Sequence, residues 1–230
     1  MYKEEEKRRI VEQYETFPTG NIADAMSYLG IPSGVVIGLH PNDPAQKRSA
    51  GFALTIQQRI KGKNVQETGK TKQRLVINTM TQAYDMVVID ACGCMNVSTG
   101  GGLLALRAKI RGVRGFLVNG CLRDVEEIAK LPFPVYLKGA VPAASGQGLE
   151  TIAINEAVCI GGILIQPGDL VVMDVTGCIV IPQRWIERIA DTVSIVMKQE
   201  ARAEELLRQG MDFEEARRIG IEENPWPKRD

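Results

Sequence analysis

Histidine is nearly absent from this sequence: His40 is the only one among 230 residues. A single histidine excludes a metal site built from several imidazoles, and it disfavours a Ser-His-Asp or Cys-His catalytic apparatus. Any chemistry must therefore rest on carboxylates, arginine, lysine, backbone amides or a metal held by oxygen ligands.

The sequence also lacks an excess of charge of either sign, since Lys+Arg and Asp+Glu both number 28. No global field is present to attract nucleic acid or an anionic membrane. No apolar run approaches the roughly 18 to 20 residues that span a bilayer, and residues 1–17 contain no apolar stretch of a secretory signal. We therefore expect a cytoplasmic protein with no nucleic-acid partner and no membrane partner.

What the sequence does contain is the composition of an ordinary soluble α/β domain, with 44% hydrophobic and 24% charged residues. The patterns predict an N-terminal helical arm over residues 1–16, one α/β domain over 17–183, and a C-terminal helix and tail over 184–230. Within the domain, apolar runs and turn residues predict strands at 50–60, 86–90 and 115–120, a helix at 103–111 and a loop at 61–74.

The stretch "STGGG", residues 98–102, precedes the predicted helix. Ser98 or Thr99 can cap that helix, and the glycines let the backbone approach a ligand closely. The first amides of a helix have no internal partners and carry the positive end of its dipole. This stretch therefore predicts an anion-binding site.

An Arg-Asp pair follows the next predicted strand. If residues 86–90 and 116–118 are parallel strands joined by the helix, the helix N-terminus and Arg123-Asp124 lie at the same edge of the sheet. Arg123 offers a bidentate fork for a carboxylate or phosphate, and Asp124 can bind Mg²⁺ or Mn²⁺. This arrangement suits a 2-oxo acid whose carboxylate contacts the amides and Arg123 while the metal polarises its keto oxygen. The alternative interpretation of the pair is an ordinary surface ion pair.

A dinucleotide site is a second alternative, because Gly100, Gly102 and Ala105 fit the G-x-G-x-x-A fingerprint and Asp124 lies about 20 residues further on. That fingerprint should follow its strand immediately, whereas residues 91–99 intervene here. The chain after Asp124 also reads as β-rich instead of repeating a βαβ unit. Both observations disfavour a dinucleotide fold.

Several segments together resemble the RraA-like family: "TGNIADAM", "VVID", "GGLLALRAKIRGVRGFLVNGCLRDVEEI", "FPVYLKG" and "GGILIQPGDLVVMDVTGCIVIP". The resemblance covers roughly residues 17–210. It implies a compact α/β fold of the swivelling β/β/α type, assembled as homotrimers or homohexamers with sites between subunits. It also implies a lyase that cleaves 4-hydroxy-4-methyl-2-oxoglutarate or decarboxylates oxaloacetate through a pyruvate enolate; other members are regulators that inhibit a ribonuclease.

The resemblance assigns site residues as well. The backbone of Gly101, Gly102, Leu103 and Leu104 with the guanidinium of Arg123 would hold pyruvate, and Asp124 would bind the divalent metal, Mg²⁺ or Mn²⁺. A glutamate from the C-terminal helix of a neighbouring subunit, Glu200 or Glu204, would complete the site. Arg123 and Asp124 are thus the predicted catalytic residues.

This chain departs from the family pattern at one position. Active aldolases have an acidic residue where this sequence has Gly102, so a carboxylate that would order metal-bound water or transfer a proton is missing. The first hypothesis is a class II-type, metal-dependent aldolase or decarboxylase. The glycine favours the alternative, a non-catalytic regulatory or binding member of the same family.

The long terminal helix and the Trp226 tail extend beyond what one such domain needs to cover its sheet. They predict self-association.

Overall fold

The computed structural model describes residues 2–61, 71–144 and 148–228. Within these ranges nine strands form one mixed sheet, helices cover one of its faces, and a two-stranded hairpin packs on the other. The helices are α1 (Glu4–Tyr14), α2 (Thr19–Tyr28), α3 (Gln73–Thr79), α4 (Gly102–Ile110), α5 (Val125–Ala129), α6 (Ile186–Arg208) and α7 (Phe213–Glu223). The strands of the sheet are β1 (Val35–Val36), β2 (His40–Pro41), β3 (Ser49–Ile60), β4 (Asp85–Ser98), β5 (Gly115–Leu122), β6 (Val135–Ala140), β7 (Leu149–Ile154), β10 (Leu170–Met173) and β11 (Cys178–Ile181). The hairpin consists of β8 (Val158–Ile160) and β9 (Ile163–Ile165).

The strand order of the sheet is β1-β11-β10-β3-β4-β5-β6-β2, and β7 pairs with the far half of β3. Strands β3, β4, β5 and β6 run parallel in chain order, with Ile89 opposite both Ile56 and Val118. The outer strands are antiparallel to their neighbours. The predicted α/β class is confirmed, and so is the parallel pair joined by the helix after "STGGG".

Alternate side chains of β3 face the helical layer and the hairpin on opposite sides of the sheet. Phe52 and Leu54 contact the helical layer, while Ala53, between them, faces the hairpin. Both faces are covered at the centre of the sheet, which is why residues 86–89 of β4 form an uninterrupted apolar run that is fully buried. Each such side chain contributes roughly 1.5–3 kcal/mol relative to an exposed one.

Helix α1 and helix α6 pack together over the β3, β10 and β11 part of the sheet. The Tyr14 hydroxyl donates a 2.6 Å hydrogen bond to the backbone oxygen of Ile186, at the start of α6. Trp226, whose tail was predicted to take part in self-association, stacks on Tyr28 of the same chain with ring centroids 4.0 Å apart. No described helix combines the length and apolarity needed to cross a membrane.

Two expectations about local structure were wrong, and one helix was missed. Helix α3 begins at Gln73, inside the predicted loop 61–74, of which residues 62–70 lie outside the described ranges. Helix α5 connects β5 to β6 where a purely β-rich segment was expected, and helix α7 was not predicted. Thr19 is the first residue of α2. Its backbone amide and hydroxyl donate to Asp174.

Candidate functional site

The glycine loop and the Arg-Asp pair lie side by side at the carboxyl edge of β4 and β5. The amide of Thr99 donates to the Cys121 oxygen at 2.8 Å, and the amide of Arg123 donates to the Gly100 oxygen at 3.0 Å. These two hydrogen bonds tie the loop before α4 to the end of β5. The structure therefore brings together the two ends of segment 98–124, as the βαβ topology predicted.

Asp124 contacts the first amide of α4. Its Oδ2 accepts a 3.1 Å hydrogen bond from the Gly102 amide and lies 3.4 Å from Nε of Arg123. Asp124 itself adopts a left-handed conformation, φ 55° and ψ 36°, at the start of α5. The expectation that Ser98 or Thr99 caps α4 was wrong, because no side chain of the adjacent loop does so.

The two glycines at the start of α4 differ in the space around them. A Cβ added to Gly101 would lie 2.4 Å from Asp124 Oδ2 and 2.8 Å from Arg123 Cγ. Only glycine therefore fits at position 101 while the Arg-Asp pair keeps its place. A Cβ at Gly102 would make ordinary contacts, 3.5 Å from the Cβ atoms of Asp124 and Glu127. The glycine at 102 is thus not required by packing.

A cavity of about 660 Å³ opens at this edge of the sheet. It is lined by Thr71, Gln73, Arg74, Asn78, Ser98, Thr99, Gly100, Gly101, Leu103, Leu104, Arg107, Arg123, Asp124 and Ala144. Gly102, unlike the other predicted site residues of segment 98–124, does not line the cavity. Its amide donates to Asp124. The Leu103 amide has no hydrogen-bond partner among the described residues, so it remains an available donor.

A buried hydrogen-bond network fixes the glycine loop to β3 and α3. Gln73 Nε2 donates to both the backbone oxygen and the hydroxyl of Thr99, at 2.5 and 2.7 Å. The Thr99 hydroxyl in turn donates to Gln58 Oε1 at 2.6 Å. All three side chains are buried. Sequence analysis missed Gln58 and Gln73. For Gln58 the signal was a polar residue near the end of an otherwise apolar strand; Gln73 fell within the predicted loop 61–74 and begins α3.

The guanidinium of Arg123 is free to bind an anion. Apart from Nε, its nitrogens have no hydrogen-bond partner among the described residues, and the side chain is 47% exposed. A planar group with two unpaired parallel N–H donors suits a carboxylate. Burial raises the pKa of the Cys121 thiol, two residues earlier, which disfavours a nucleophilic role for it.

Among the described residues that line the cavity, Asp124 is the one carboxylate that can hold a divalent cation. Asp124 is 44% exposed, and its Oδ1 has no partner in the described ranges. In these ranges, no cluster of three or more His, Cys, Asp or Glu side chains has the arrangement of a metal site. Mg²⁺ is commonly held by one or two carboxylates with water in the other positions, so Asp124 fits such an ion as one of its ligands.

The two glutamates considered for the site lie elsewhere in this chain. Glu200 accepts a short hydrogen bond from Asn21 Nδ2, and Glu204 pairs with Arg208 one turn along α6. Neither lines the cavity. A role in a neighbouring subunit's site stays a prediction.

Neither sequence observation against a dinucleotide site holds in the structure. Strand β4 extends to Ser98 with two irregularities, so no long loop separates it from the glycines, and β5-α5-β6 is a further parallel unit. The stronger reason is the strand order. Strands β3 to β6 are consecutive neighbours, so the sheet has no reversal of order at β4 and β5 where a dinucleotide crevice would form.

The sequence matches a known family. The family model described as RraA-like, Aldolase/RraA, matches residues 19–180, and the chain therefore belongs to the RraA-like family. The resemblance noted from the sequence is confirmed.

Two sequence relatives differ in how much they share with this chain. A protein of Halalkalibacterium halodurans named "Putative 4-hydroxy-4-methyl-2-oxoglutarate aldolase" is 33% identical over 78% of this chain and 80% of its own length. An uncharacterized protein of Methanocaldococcus jannaschii is 40% identical over 113 residues, 49% of this chain. The match spans only 54% of the Methanocaldococcus protein's length.

Solved structures share the fold. An uncharacterized protein from Pseudomonas syringae pv. tomato matches with a TM-score of 0.79 at 25% identity, covering 91% of this chain and 97% of that one. Streptomyces coelicolor RraAS2, described as an unusual member of the RNase ES inhibitor RraA family, matches with a TM-score of 0.75 at 25% identity, covering 88% and 98%.

Proposed function

We propose that this protein is a divalent-metal-dependent lyase that acts on a 2-oxo acid by retro-aldol cleavage or decarboxylation. The observation that carries the proposal is the convergence of Arg123, Asp124 and the N-terminus of α4 on one cavity. The name of the Halalkalibacterium relative supports a lyase.

Different residues of the chain bind the substrate carboxylate and the cation. The terminal nitrogens of Arg123 and the amide of Leu103 hold the substrate carboxylate, and this contact orients the bond that breaks. Gly101 allows the backbone to come close to the carboxylate. Asp124 carries two tasks, since one oxygen accepts from the Gly102 amide while the other is free for the cation. When bound, Mg²⁺ or Mn²⁺ would supply a Lewis acid that polarises the keto group of the substrate.

Self-association forms part of the proposal, as a homotrimer or homohexamer. Helix α4 exposes Leu103, Leu106 and Ile110, which recur at helical spacing and form an apolar stripe starting at the cavity mouth. A second copy covering this stripe would bring its own side chains, Glu200 among the candidates, beside the cavity. Sedimentation equilibrium at micromolar concentration checks this; a stable monomer would remove the shared site.

A regulatory, non-catalytic role is the second candidate, and Gly102 favours it. The packing around Gly102 accepts a side chain, yet the position carries no acid that could move a proton. The Streptomyces neighbour is described as belonging to a family of ribonuclease inhibitors. Binding without turnover would agree with this role.

A coupled assay for pyruvate release separates the two candidates. Oxaloacetate and a panel of 4-hydroxy-2-oxo acids are offered with Mg²⁺, with Mn²⁺ and with a chelator. We expect turnover that requires the cation. Pyruvate binding without release of pyruvate from any member of the panel would favour the regulatory role instead.

Within that assay, Arg123→Lys should reduce kcat/KM about a hundredfold, although the charge is kept. Lysine is a point charge and cannot hold a carboxylate through two parallel hydrogen bonds. Arg208→Lys, which changes an exposed arginine paired with Glu204, serves as the matched control and should leave kcat/KM unchanged. Near-normal activity of Arg123→Lys would show that Arg123 is only a surface cation.

A further inference from the structure

The loop before α4, which lines the cavity, has free amides and occupied carbonyl oxygens. The carbonyl oxygens of residues 99, 100 and 101 all accept hydrogen bonds from within the protein. Their donors are Gln73 Nε2 for Thr99, the Arg123 amide for Gly100, and the amides of Leu104 and Ala105 for Gly101. The amides of Gly100, Gly101 and Leu103 have no acceptor among the described residues. An anion at this loop therefore meets N–H groups and not carbonyl oxygens.

Gln73 is the one side chain among these donors, since the others are backbone amides. The peptide bond between Thr99 and Gly100 is trans, so its C=O and its N–H point in opposite directions. The Thr99 oxygen is held against Gln73 at the start of α3, and the Gly100 N–H therefore points away from that helix. Because Gly100 lines the cavity, the direction of this free donor depends on a single side chain.

The contacts of Gln73 show that it acts through Thr99 and not on a ligand. Gln73 lines the cavity but is buried, and Nε2 uses its two N–H groups on the Thr99 oxygen and the Thr99 hydroxyl, at 2.5 and 2.7 Å. Its Oε1 is an acceptor and offers nothing to an anion. The Thr99 hydroxyl gives its single proton to Gln58 Oε1 at 2.6 Å. These side chains thus fix the peptide and have no donor left for a ligand.

Loss of the Gln73 donor would reverse the polarity of this part of the loop. The Thr99 carbonyl is buried, and an unpaired buried carbonyl is costly, so the peptide would rotate towards another donor. Rotation turns the carbonyl oxygen, with its partial negative charge, towards the cavity and takes the Gly100 N–H away from it. The site would then lose one donor and gain a group that repels anions.

We infer that Gln73 is a positioning residue, which holds the Thr99 carbonyl so that the Gly100 N–H faces the cavity as a second backbone donor, beside the Leu103 amide, to the bound oxo acid. This role rests on the proposed function, which places the anion at Arg123 and the start of α4. Gln73 itself takes no part in bond cleavage.

Matched substitutions of two buried glutamines test this role by pyruvate binding, which requires no turnover. Gln73→Met keeps a similar volume and removes both N–H donors. Gln199→Met is the control, because Gln199 is also buried and its Nε2 donates to the backbone oxygen of Asn224 at 2.7 Å, outside the cavity lining. Calorimetric titration with pyruvate in the presence of Mg²⁺ should show about a tenfold loss of affinity for Gln73→Met and no loss for Gln199→Met. Retained affinity in Gln73→Met, or an equal loss in Gln199→Met, would overturn the role of Gln73.

Substitutions of Thr99 give the answer if Gln73→Met does not fold. Thr99→Val removes the hydroxyl, and with it the bond to Gln58 and one of the two bonds to Gln73, but leaves the carbonyl in place. We expect about a threefold loss of pyruvate affinity for Thr99→Val and normal affinity for Thr99→Ser, which keeps the hydroxyl. An equal loss in Thr99→Ser, or none in Thr99→Val, would show that this network does not position the peptide.

The Gly100 amide can be observed directly by NMR of protein labelled with ¹⁵N-glycine. Its signal is identified by its absence from Gly100→Ala. In the wild type the Gly100 amide proton should shift downfield on saturation with pyruvate, because the N–H donates to a carboxylate, and this shift should be lost in Gln73→Met. The amide of Gly210, which donates to Leu207 after α6, is the reference and should not move. An unmoved Gly100 signal in the wild type would overturn the inference.

Arg123→Lys in the same titrations distinguishes failure of the Gln73 role from failure of the proposed function. The proposed function predicts that Arg123→Lys weakens pyruvate binding. If it does not, the proposed position of the oxo acid is wrong, whatever Gln73→Met shows. If Arg123→Lys weakens binding while Gln73→Met leaves it unchanged, only the positioning role fails.

Discussion

Asp124 and Asp174 each accept a hydrogen bond from the first amide of a helix, but their surroundings differ. Asp174 accepts from the Thr19 amide and hydroxyl and from the amides of Thr176 and Gly177, at 2.9–3.2 Å. Its side chain is 10% exposed and lies 3.5 Å from Nε of Arg48. Asp124 has one amide donor, and its side chain is 44% exposed.

The difference separates a structural carboxylate from one that is available for a ligand. The oxygens of Asp174 are saturated by protein donors that join α2 to the turn after β10, so they have no capacity left. Asp124 has a free oxygen in a cavity lined by arginines. A buried, fully bonded carboxylate stabilises a fold, whereas an exposed and partly bonded one at a helix N-terminus can bind a cation.

The largest expected effect is on Asp124. Asp124→Asn should lower metal-dependent turnover about a thousandfold, because a neutral amide binds a hard cation poorly. The free energy of unfolding should change by less than about 0.5 kcal/mol, since asparagine still accepts the Gly102 amide bond. Turnover in the pyruvate-release assay and urea unfolding measure the two quantities. Unchanged turnover would place the cation elsewhere.

Asp174→Asn should show the opposite pattern. Loss of the charge weakens hydrogen bonds in a nearly buried site and should cost about 2–3 kcal/mol of unfolding free energy. Turnover per folded molecule should stay within about twofold, because Asp174 does not line the cavity. Asp191→Asn, an exposed change on α6, is the control and should alter stability by less than about 0.5 kcal/mol. A stability equal to that of the control would contradict the structural role.

The two aspartates also show which contacts could be predicted from the sequence and which could not. Asp124 and its helix are 22 residues apart and belong to one parallel βαβ unit, so a topological rule placed them together. Asp174 and Thr19 are 155 residues apart and belong to no local unit. Local patterns therefore predicted the class of fold and the proximity of Arg123 and Asp124 to the start of α4, but not the partner of Asp174.

The part of the cavity wall formed by α3 was not predicted, for a related reason. Gln73 and Arg74 follow a polar, glycine-punctuated stretch, and the pattern extended the loop over both. In the structure Val76 and Ile77 are fully buried and hold α3 against the helical layer, which brings Arg74 and Asn78 to the cavity. Tertiary packing decided the start of this helix, because seven residues are too few for propensity to do so.

Substitutions at Gly101 and Gly102 test whether activity requires the close approach of the Gly101 backbone to Asp124. Gly101→Ala should reduce kcat/KM about tenfold, because its Cβ would lie 2.4 Å from Asp124 Oδ2 and displace the pair. Gly102→Ala is the matched control: its Cβ makes ordinary contacts, and activity should be retained. The backbone of Gly101 is extended, so the effect is steric and not conformational. Equal losses in both variants would argue against close approach at Gly101 as the cause.

The smallest expected effect is the pH dependence of the stability that Asp174 provides. Burial raises the pKa of Asp174, but the hydrogen bonds from Thr19, Thr176 and Gly177 outweigh it, and the pKa lies below its ordinary value of 3.8. In the unfolded chain the carboxyl takes up its proton first as pH falls. The charge contribution is therefore fully present well above pH 3.8 and is lost as pH falls through the folded-state pKa.

Because the folded-state pKa of Asp174 is lowered, the difference in unfolding free energy between wild type and Asp174→Asn should depend on pH in a specific way. It should be constant between about pH 7 and pH 5 and should narrow only below pH 3.8, because the variant has no proton to take up at this position. Urea unfolding of both proteins at successive pH values measures the difference. A difference that changes between pH 7 and pH 5 would mean that burial prevails over the hydrogen bonds, and Asp174 would then be a strained carboxylate and not a saturated one.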